Sequence, residues 1–363
     1  MLRERPLARA VDTNKRMDKN YTIKDIARLT NLSRGTIDKV LHNRGGVSEE
    51  TVEKVQAVIK QVGYTPNILA KSLKQHKRYV IAVLLPLYRK GGYWHSCYLG
   101  ARRASEELVS FTGEVRYFFY ERNIEDFRKQ FSFVLEANPD ALLVAPLDYV
   151  EVREVYQKLH EISIPFIFIN SAVAQTGYNG FIGQDYYTSG RVAAQMMDFL
   201  TPMGGPLLVL HKIEALEYSG HLAEKEKGFI SYFKSNQPNR TIQVLTLYDQ
   251  QVVQPLAINV QAFEGVFLTT SNAYECIETF ADGKLKVVSY DLIQDNAERL
   301  RDGKIQVILN QNPGMQGFLG LSALMEHLLF KTEIQKEKYL PIEIITSENM
   351  ESYLSGQSEM GGV

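Results

Sequence analysis

Arg34, Gly35, Thr36, Asp38, Lys39 and His42 fall on one side of a short helical pattern whose other side is Ile37, Val40 and Leu41. Guanidinium, ammonium, hydroxyl, carboxylate and imidazole groups arrayed this way suit the DNA major groove, where each base pair shows a distinct set of donors and acceptors. A small helical bundle with a solvated polar face has the same spacing, so charge must decide. Residues 1–78 hold 17 Lys+Arg against 8 Asp+Glu, about +9, while the rest of the chain holds 24 against 34, or −10. A basic head on an acidic body is the footprint of phosphate contact.

Three elements must position those side chains. Thr22 is placed to cap a first helix with Ile23, Ile26, Ala27 and Leu29 at helical spacing. Asn31-Leu32-Ser33 is a tight turn, and Ser33 caps the second helix, which Asn43-Arg44-Gly45-Gly46 ends. Ser48 caps a third, with Val52, Val55, Val58, Ile59 and Val62 inward and Gly63 as its stop. Two short helices joined by a three-residue turn and buttressed by a third form a helix-turn-helix domain, expected over residues 21–65. Residues 1–20 are basic without an apolar segment and are expected to be disordered, not a secretory signal; Met17 offers a second start.

This head resembles that of the lactose-repressor (LacI/GalR) family of bacterial regulators. The matching residues are Thr22-Ile23-Lys24-Asp25-Ile26-Ala27, Ser33-x-x-Thr36, Val40-Leu41, Val47-Ser48 and Gly63-Tyr64-x-Pro66-Asn67-x-x-Ala70-x-x-Leu73. The resemblance implies that residues 66–78 are a hinge helix and linker. Asn67, Ala70 and Leu73 then face the minor groove, with Leu73 from each of two subunits wedged between base pairs. A helix of that length is too short to stand alone and is expected to order only with DNA and a partner subunit. The resemblance also implies DNA contacts from Thr22, Ser33, Arg34, Gly35, Thr36, Asp38, Lys39, His42 and Asn43. Asp38 departs from the small hydroxyl residue common in the family; it can accept from cytosine but repels phosphate.

Past Lys74–Arg78 the pattern changes. Tyr79–Pro86 is a nearly unbroken apolar run, as in a strand buried on both faces. Helical and strand patterns then alternate, with strands at 115–120, 141–145 and 166–170. A second series opens at Phe181-Ile182-Gly183, with strands at 207–211, 242–246, 265–269, 285–290 and 305–310. Helices fall at 189–200, 222–234, 252–260 and 273–280, and a long helix at 315–330 and a strand at 342–345 finish the chain. The expectation is an α/β, two-lobed type I periplasmic-binding-protein-like domain with parallel sheets over 79–363. Its lobes are expected at 79–172 with 311–341, and at 173–310 with 342–363. The body is similar to effector domains of the same regulators and to ribose-type binding proteins. The most specific block is Ile305-x-x-x-Leu309-Asn310-Gln311-x-Pro313-x-x-Gln316-Gly317.

Ligands of open α/β sheets sit outside the carboxyl ends of the strands. That rule selects Tyr93 and Trp94, Asn170, Asp185 and Asp291. A carboxylate at a strand end accepts two hydroxyls at once, although Asp185 is equally placed to cap the next helix. The resemblance implies that Tyr93 and Trp94 stack on a sugar ring and that Asn170 and Gln311 are polar ligand contacts. Lys225 stands where the family commonly has arginine, and Thr270, with Asn272 two residues on, where asparagine is common. Lysine lacks the planar fork, which weakens bidentate clamping there.

The 363 residues lack a phosphate loop, a Gly-x-Ser-x-Gly elbow and metal-ligand spacing, and no apolar run approaches a membrane span. Cys97 and Cys276 read as free buried thiols in a reducing cytoplasm. Gly314, Gly317 and Gly320 have the wrong spacing for a nucleotide fingerprint and read as helix-opening glycines. The expected function is a non-enzymatic transcriptional regulator, a homodimeric repressor without cofactor, whose operator affinity changes with a small carbohydrate in the interlobe cleft. The alternative is a stand-alone sugar-binding protein serving a transporter, which would have a leader and no basic head.

Overall fold

A computed structural model describes residues 23–41, 45–62, 78–147, 150–213, 220–248, 259–272, 274–278, 280 and 285–361. The chain divides into two compact units between His76 and Lys77. The first contains α1 (Ile23–Thr30), α2 (Arg34–Leu41) and α3 (Glu49–Val62). Ile26, Ala27, Ile37 and Val55 form its core, with Ile23, Val40, Leu41, Val58 and Ile59 against them. Leu29, expected inside, is 48% exposed, because the α1 face toward α2 and α3 is carried by Ile23, Ile26 and Ala27. Three fully buried aliphatic side chains, Ile26, Ile37 and Val55, at about 1.5–3 kcal/mol each make a small core.

The second unit begins with β1 (Tyr79–Pro86), α4 (Tyr93–Thr112), β2 (Gly113–Tyr120), α5 (Ile124–Glu136), β3 (Ala141–Val144), α6 (Arg153–Glu161), β4 (Phe166–Asn170) and β5 (Gly180–Gly183). There follow α7 (Tyr186–Leu200), β6 (Leu207–Ile213), α8 (Gly220–Asn236), β7 (Ile242–Tyr248), β8 (Gly265–Leu268) and α9 (Tyr274–Ile277). The chain ends with β9 (Lys286–Tyr290), α10 (Gln294–Arg301), β10 (Val307–Asn310), α11 (Pro313–Phe330), β11 (Glu337–Tyr339), β12 (Glu343–Ile345) and α12 (Met350–Gly361). One sheet has the order β11-β5-β4-β3-β1-β2 and the other β12-β10-β9-β8-β6-β7. The two orders are the same once β1 is matched to β6, so each lobe repeats one plan. All pairings are parallel except β10 with β12.

This topology corrects the expected lobe boundary at 173. Strand β5 pairs with β4 in the first sheet, Ile167 opposite Gly180 through Asn170 opposite Gly183, and Phe181 packs in the first lobe's core. The apolar triplet that was expected to open the second lobe instead closes the first, and the crossover falls at Gln184. Gln184 Nε2 donates to the carbonyls of Asn310 and Pro341, both at 3.2 Å, drawing the three interlobe crossings together. Strand β11 and helix α12 were not anticipated, being short or weakly patterned. The helix expected at 252–260 lies largely outside the described residues, and that expected at 273–280 is the shorter α9.

Two backbone contacts fix the helices that carry the cleft. A Cβ on Gly317 would lie 2.1 Å from the Cys97 carbonyl oxygen, so α11 rests directly on the backbone of α4; Gly317 is a packing residue, not a helix-opening one. A Cβ on Gly228 would lie 2.0 Å from the Tyr187 carbonyl oxygen, which sets α8 against α7 in the same way. Cys97 and Cys276 are buried free thiols, as expected. Among the described residues no helix is long and apolar enough to cross a membrane.

Candidate functional site

In the head, Ser33 begins α2 as a cap: its Oγ accepts the Thr36 N–H at 3.1 Å and shares a 2.9 Å hydrogen bond with the Thr36 hydroxyl. With Ile37 at zero exposure the opposite side of α2 is fixed outward. Arg34, Gly35 and Lys39 are exposed there, and Thr36 and Asp38 are half-buried. Thr22, His42, Asn43, Asn67, Ala70 and Leu73 lie outside the described residues.

In the second unit a cavity of about 1030 Å³ opens between the two sheets at the carboxyl ends of their strands. Its floor is a chain of hydrogen bonds that crosses the lobes. Asn170 Nδ2 donates to the Tyr93 hydroxyl at 2.7 Å, and Gln316 Nε2 donates to the same oxygen at 3.2 Å and to the Gln311 carbonyl at 2.9 Å. The Asn170 N–H donates to Gln316 Oε1 at 2.9 Å. From the second lobe, the Tyr186 hydroxyl donates to the Asn170 carbonyl. Gln311 then donates to both Asp291 oxygens, through its backbone N–H at 3.0 Å and Nε2 at 2.8 Å. A carboxylate offers about four lone-pair sites, so two remain for hydroxyls.

Asn170 ends β4 and Asp291 directly follows the equivalent strand β9, and both have positive φ, +69° and +63°. Asn and Asp tolerate this left-handed conformation better than bulkier residues, but it costs free energy and persists only where its surroundings impose it. Asn296 does so at Asp291, with its Nδ2 donating to the Tyr290, Asp291 and Ser271 carbonyls. The Tyr93 and Trp94 rings meet edge to face at 4.8 Å, and the Arg122 guanidinium lies 5.9 Å from the Trp94 ring centre.

Lys225, on the inner face of α8, is 2% exposed. Its Nζ donates to the Thr269 carbonyl at 3.0 Å and sits 3.6 Å from the Tyr290 ring centre and 5.2 Å from that of Tyr186. Burial pulls its pKa down to about 7, opposed by the charge of Asp291. Burial pushes Asp291 up to about 6, opposed by Lys225 and by the Gln311 hydrogen bonds. His221 is held well below the usual histidine range, first by burial and then by Lys225 and Arg122.

Residues 81–332 match the model described as "Periplasmic binding protein domain", and residues 22–67 match "Bacterial regulatory proteins, lacI family". The chain belongs to the periplasmic-binding-protein domain family, joined to a lacI-family head. It is 24% identical over 210 residues to ExuR of Bacillus subtilis, named an HTH-type transcriptional repressor, covering 58% of this chain and 59% of that one. It is 23% identical over 282 residues to the sucrose operon repressor of Streptococcus mutans, covering 74% and 81%. A crystal structure from Bacteroides fragilis assigned to the LacI transcriptional regulators has a TM-score of 0.69 at 26% identity, covering 76% of this chain and all of that one.

Within this family frame, Tyr93, Trp94, Asn170, Asp185, Lys225, Thr270, Asn272, Asp291 and Gln311 all line the one cavity. Asp185 does so as the cap of α7, its two oxygens taken by the Thr188 N–H at 2.9 Å and hydroxyl at 2.6 Å. Of its two readings, the structure realises the capping one. Thr270 Oγ1 and Trp94 Nε1 are buried without a hydrogen-bond partner. Sequence reasoning did not select Tyr186, Gln316, Arg122 or His221 for the site. Gln316 had a usable signal, a polar residue inside an apolar helix. The other three are brought in only by the way the lobes face each other.

Proposed function

We propose that the chain is a ligand-responsive transcriptional repressor of carbohydrate-utilisation genes. Its head reads operator DNA through the exposed face of α2, and a small carbohydrate in the interlobe cleft changes its operator affinity. The observation that carries this reading is the single cleft where Asp291, Gln311, Asn170 and the Tyr93–Trp94 pair converge in a chain that also carries a basic helix-turn-helix. Carboxylate and amide groups accept and donate to hydroxyls, and the aromatic pair covers an apolar sugar face. Both named relatives are repressors, and one is named for a sugar operon. The stand-alone binding-protein alternative leaves the head without a role.

The operator-binding form is a homodimer, so that two heads meet two half-sites related by twofold symmetry. Closure of the lobes on the sugar alters how the segments at 66–78 meet, and Leu73 from each subunit serves as the minor-groove wedge. Fluorescence anisotropy with the chain's own promoter fragment tests this. Sequence-selective binding that shifts when a sugar is added is expected. Unselective or absent binding at low salt would refute the DNA half, and operator binding by Leu73→Ala equal to wild type would refute the wedge.

A further inference from the structure

We infer that the effector is a sugar bearing a carboxylate, and that Lys225 receives that group. This deepens, and rests on, the reading of the cleft as a carbohydrate site. An ammonium has three N–H donors, and a buried one needs acceptors or a counter-charge for them. Among the described residues Lys225 Nζ has one acceptor, the Thr269 carbonyl, and two aromatic faces, while lining the cavity.

The nearby acids are turned elsewhere. Asp291 receives two hydrogen bonds from Gln311, and Glu226, next to Lys225 in sequence, binds His211 Nε2 at 2.8 Å. Among the described residues, no carboxylate forms an ion pair with Lys225. Among these residues the cation lacks a close anionic partner, and the cavity that it lines is where one can be supplied.

Three further observations favour an anion of a single charge. His221, four residues before Lys225 on the same helix, is kept from protonating by burial and by the fields of Lys225 and Arg122, so this corner is electropositive. Trp94 Nε1 and Thr270 Oγ1 add buried donors without partners. Of the other cavity-lining cations, Arg89 and Lys212 are spent on Asp295 and Glu275 and Arg122 lies over the Trp94 ring, and buried Asp291 would repel a dianion. A neutral sugar would satisfy N–H groups but bring no counter-charge into contact with Lys225, and a phosphate dianion would set a second negative charge against buried Asp291. A carboxylate accepts two N–H donors and carries one negative charge.

The test uses the full chain and sugars matched in skeleton: D-glucose, D-glucuronate and D-glucose 6-phosphate, then D-galactose and D-galacturonate, with D-gluconate for an open chain. Thermal shift identifies binders and calorimetry gives affinities. The expected result is that a carboxylate sugar binds at least ~10-fold tighter than its neutral counterpart. Lys225→Met should weaken it ~10- to 100-fold, as for loss of a charge-assisted hydrogen bond, and Lys225→Arg should keep it within a few-fold. Circular dichroism confirms that the variants are folded.

Preference for neutral sugars or phosphates, no binding by any carboxylate sugar, or undiminished binding by Lys225→Met would overturn the inference. If a neutral sugar binds and shifts operator affinity, the regulator reading stands and only the charge assignment falls. If no sugar of any class binds while operator DNA does, the carbohydrate reading falls with it.

Discussion

The buried Lys225 ammonium should make the stability of the free protein depend on pH in a way that its removal abolishes. An ordinary lysine keeps its proton to about pH 10.5, whereas Lys225 in the closed cleft holds it only to about 7. Between those values the unfolded chain binds more protons than the folded one, so stability rises with pH across the window and the full penalty is present below pH 7. Each pH unit within the window is worth about 1.4 kcal/mol, so from pH 7 to 9 the gain is about 2–3 kcal/mol. This is an upper limit, since any hydration of the ammonium from the cavity it lines reduces it. For a unit of this size the gain corresponds to roughly 5–10 °C in Tm.

Asp291 titrates in the opposite sense and in a different range. Its folded pKa is raised from 3.8 to about 6, so its contribution is present below pH 4 and lost as pH rises through 6. The other ionisable groups near Lys225 do not share its window. His221 is already neutral above pH 7, and burial moves the Tyr186 and Tyr290 phenols upward. Melting curves of wild type and Lys225→Met at pH 7, 8 and 9, without sugar, isolate the effect. The wild type should gain stability relative to the variant by the amount given. Parallel pH profiles would show that the ammonium is hydrated or otherwise paired, and the reasoning from its burial would be wrong.

Asp291→Ala leaves both Gln311 N–H groups without their acceptor and removes a hydroxyl acceptor, so sugar affinity measured by calorimetry should fall ~10- to 100-fold. Gly228→Ala forces α8 away from the Tyr187 carbonyl and should cost about 1–3 kcal/mol or more in urea unfolding, with a lower urea midpoint. Ser33→Ala removes the cap of α2 and should cost the head about 1 kcal/mol, read as a lower melting temperature of that unit. Lys39→Gln should weaken DNA binding evenly across sequences and lower the slope of log affinity against log salt by about 1, measured by anisotropy.

The head and the strand pattern were legible because both depend on local periodicity. Ser33 caps the helix it was expected to cap, and the apolar run at Tyr79–Pro86 is an interior strand of its sheet. The lobe boundary was not legible: Phe181-Ile182-Gly183 is as apolar as a strand that opens a domain, and only its register against β4 assigns it. Lys225 shows the deeper limit. In sequence it sits in Ala223-Glu224-Lys225-Glu226-Lys227, which looks like a solvated charged run. Helical periodicity sets it on the face of Leu222 and Phe229, both buried, but no local rule says that Glu226 turns to His211. That Asp291 turns to Gln311 depends on two strands far apart in sequence.

A ligand shifts a conformational equilibrium only by the difference between its affinities for the two states. The closed cleft contains contacts that an open one would lose, among them the Arg89–Asp295 ion pair and the Tyr186 bond to the Asn170 carbonyl. Exposed ion pairs such as Arg89–Asp295 contribute about 0–1 kcal/mol, so this one holds the lobes together only weakly. The groups packed around Lys225, namely Thr269, Tyr186 and Tyr290, all belong to the second lobe, so an anion on Lys225 favours closure only through the contacts it also makes to the first lobe, such as Asn170 and the Tyr93–Trp94 pair. Allosteric couplings of about 1–3 kcal/mol are typical, and a charge-assisted hydrogen bond at Lys225 falls in that range. A ligand held by Lys225 and Asp291 in one lobe and by Asn170 and the Tyr93–Trp94 pair in the other binds the closed form selectively, because only that form presents both sets at once.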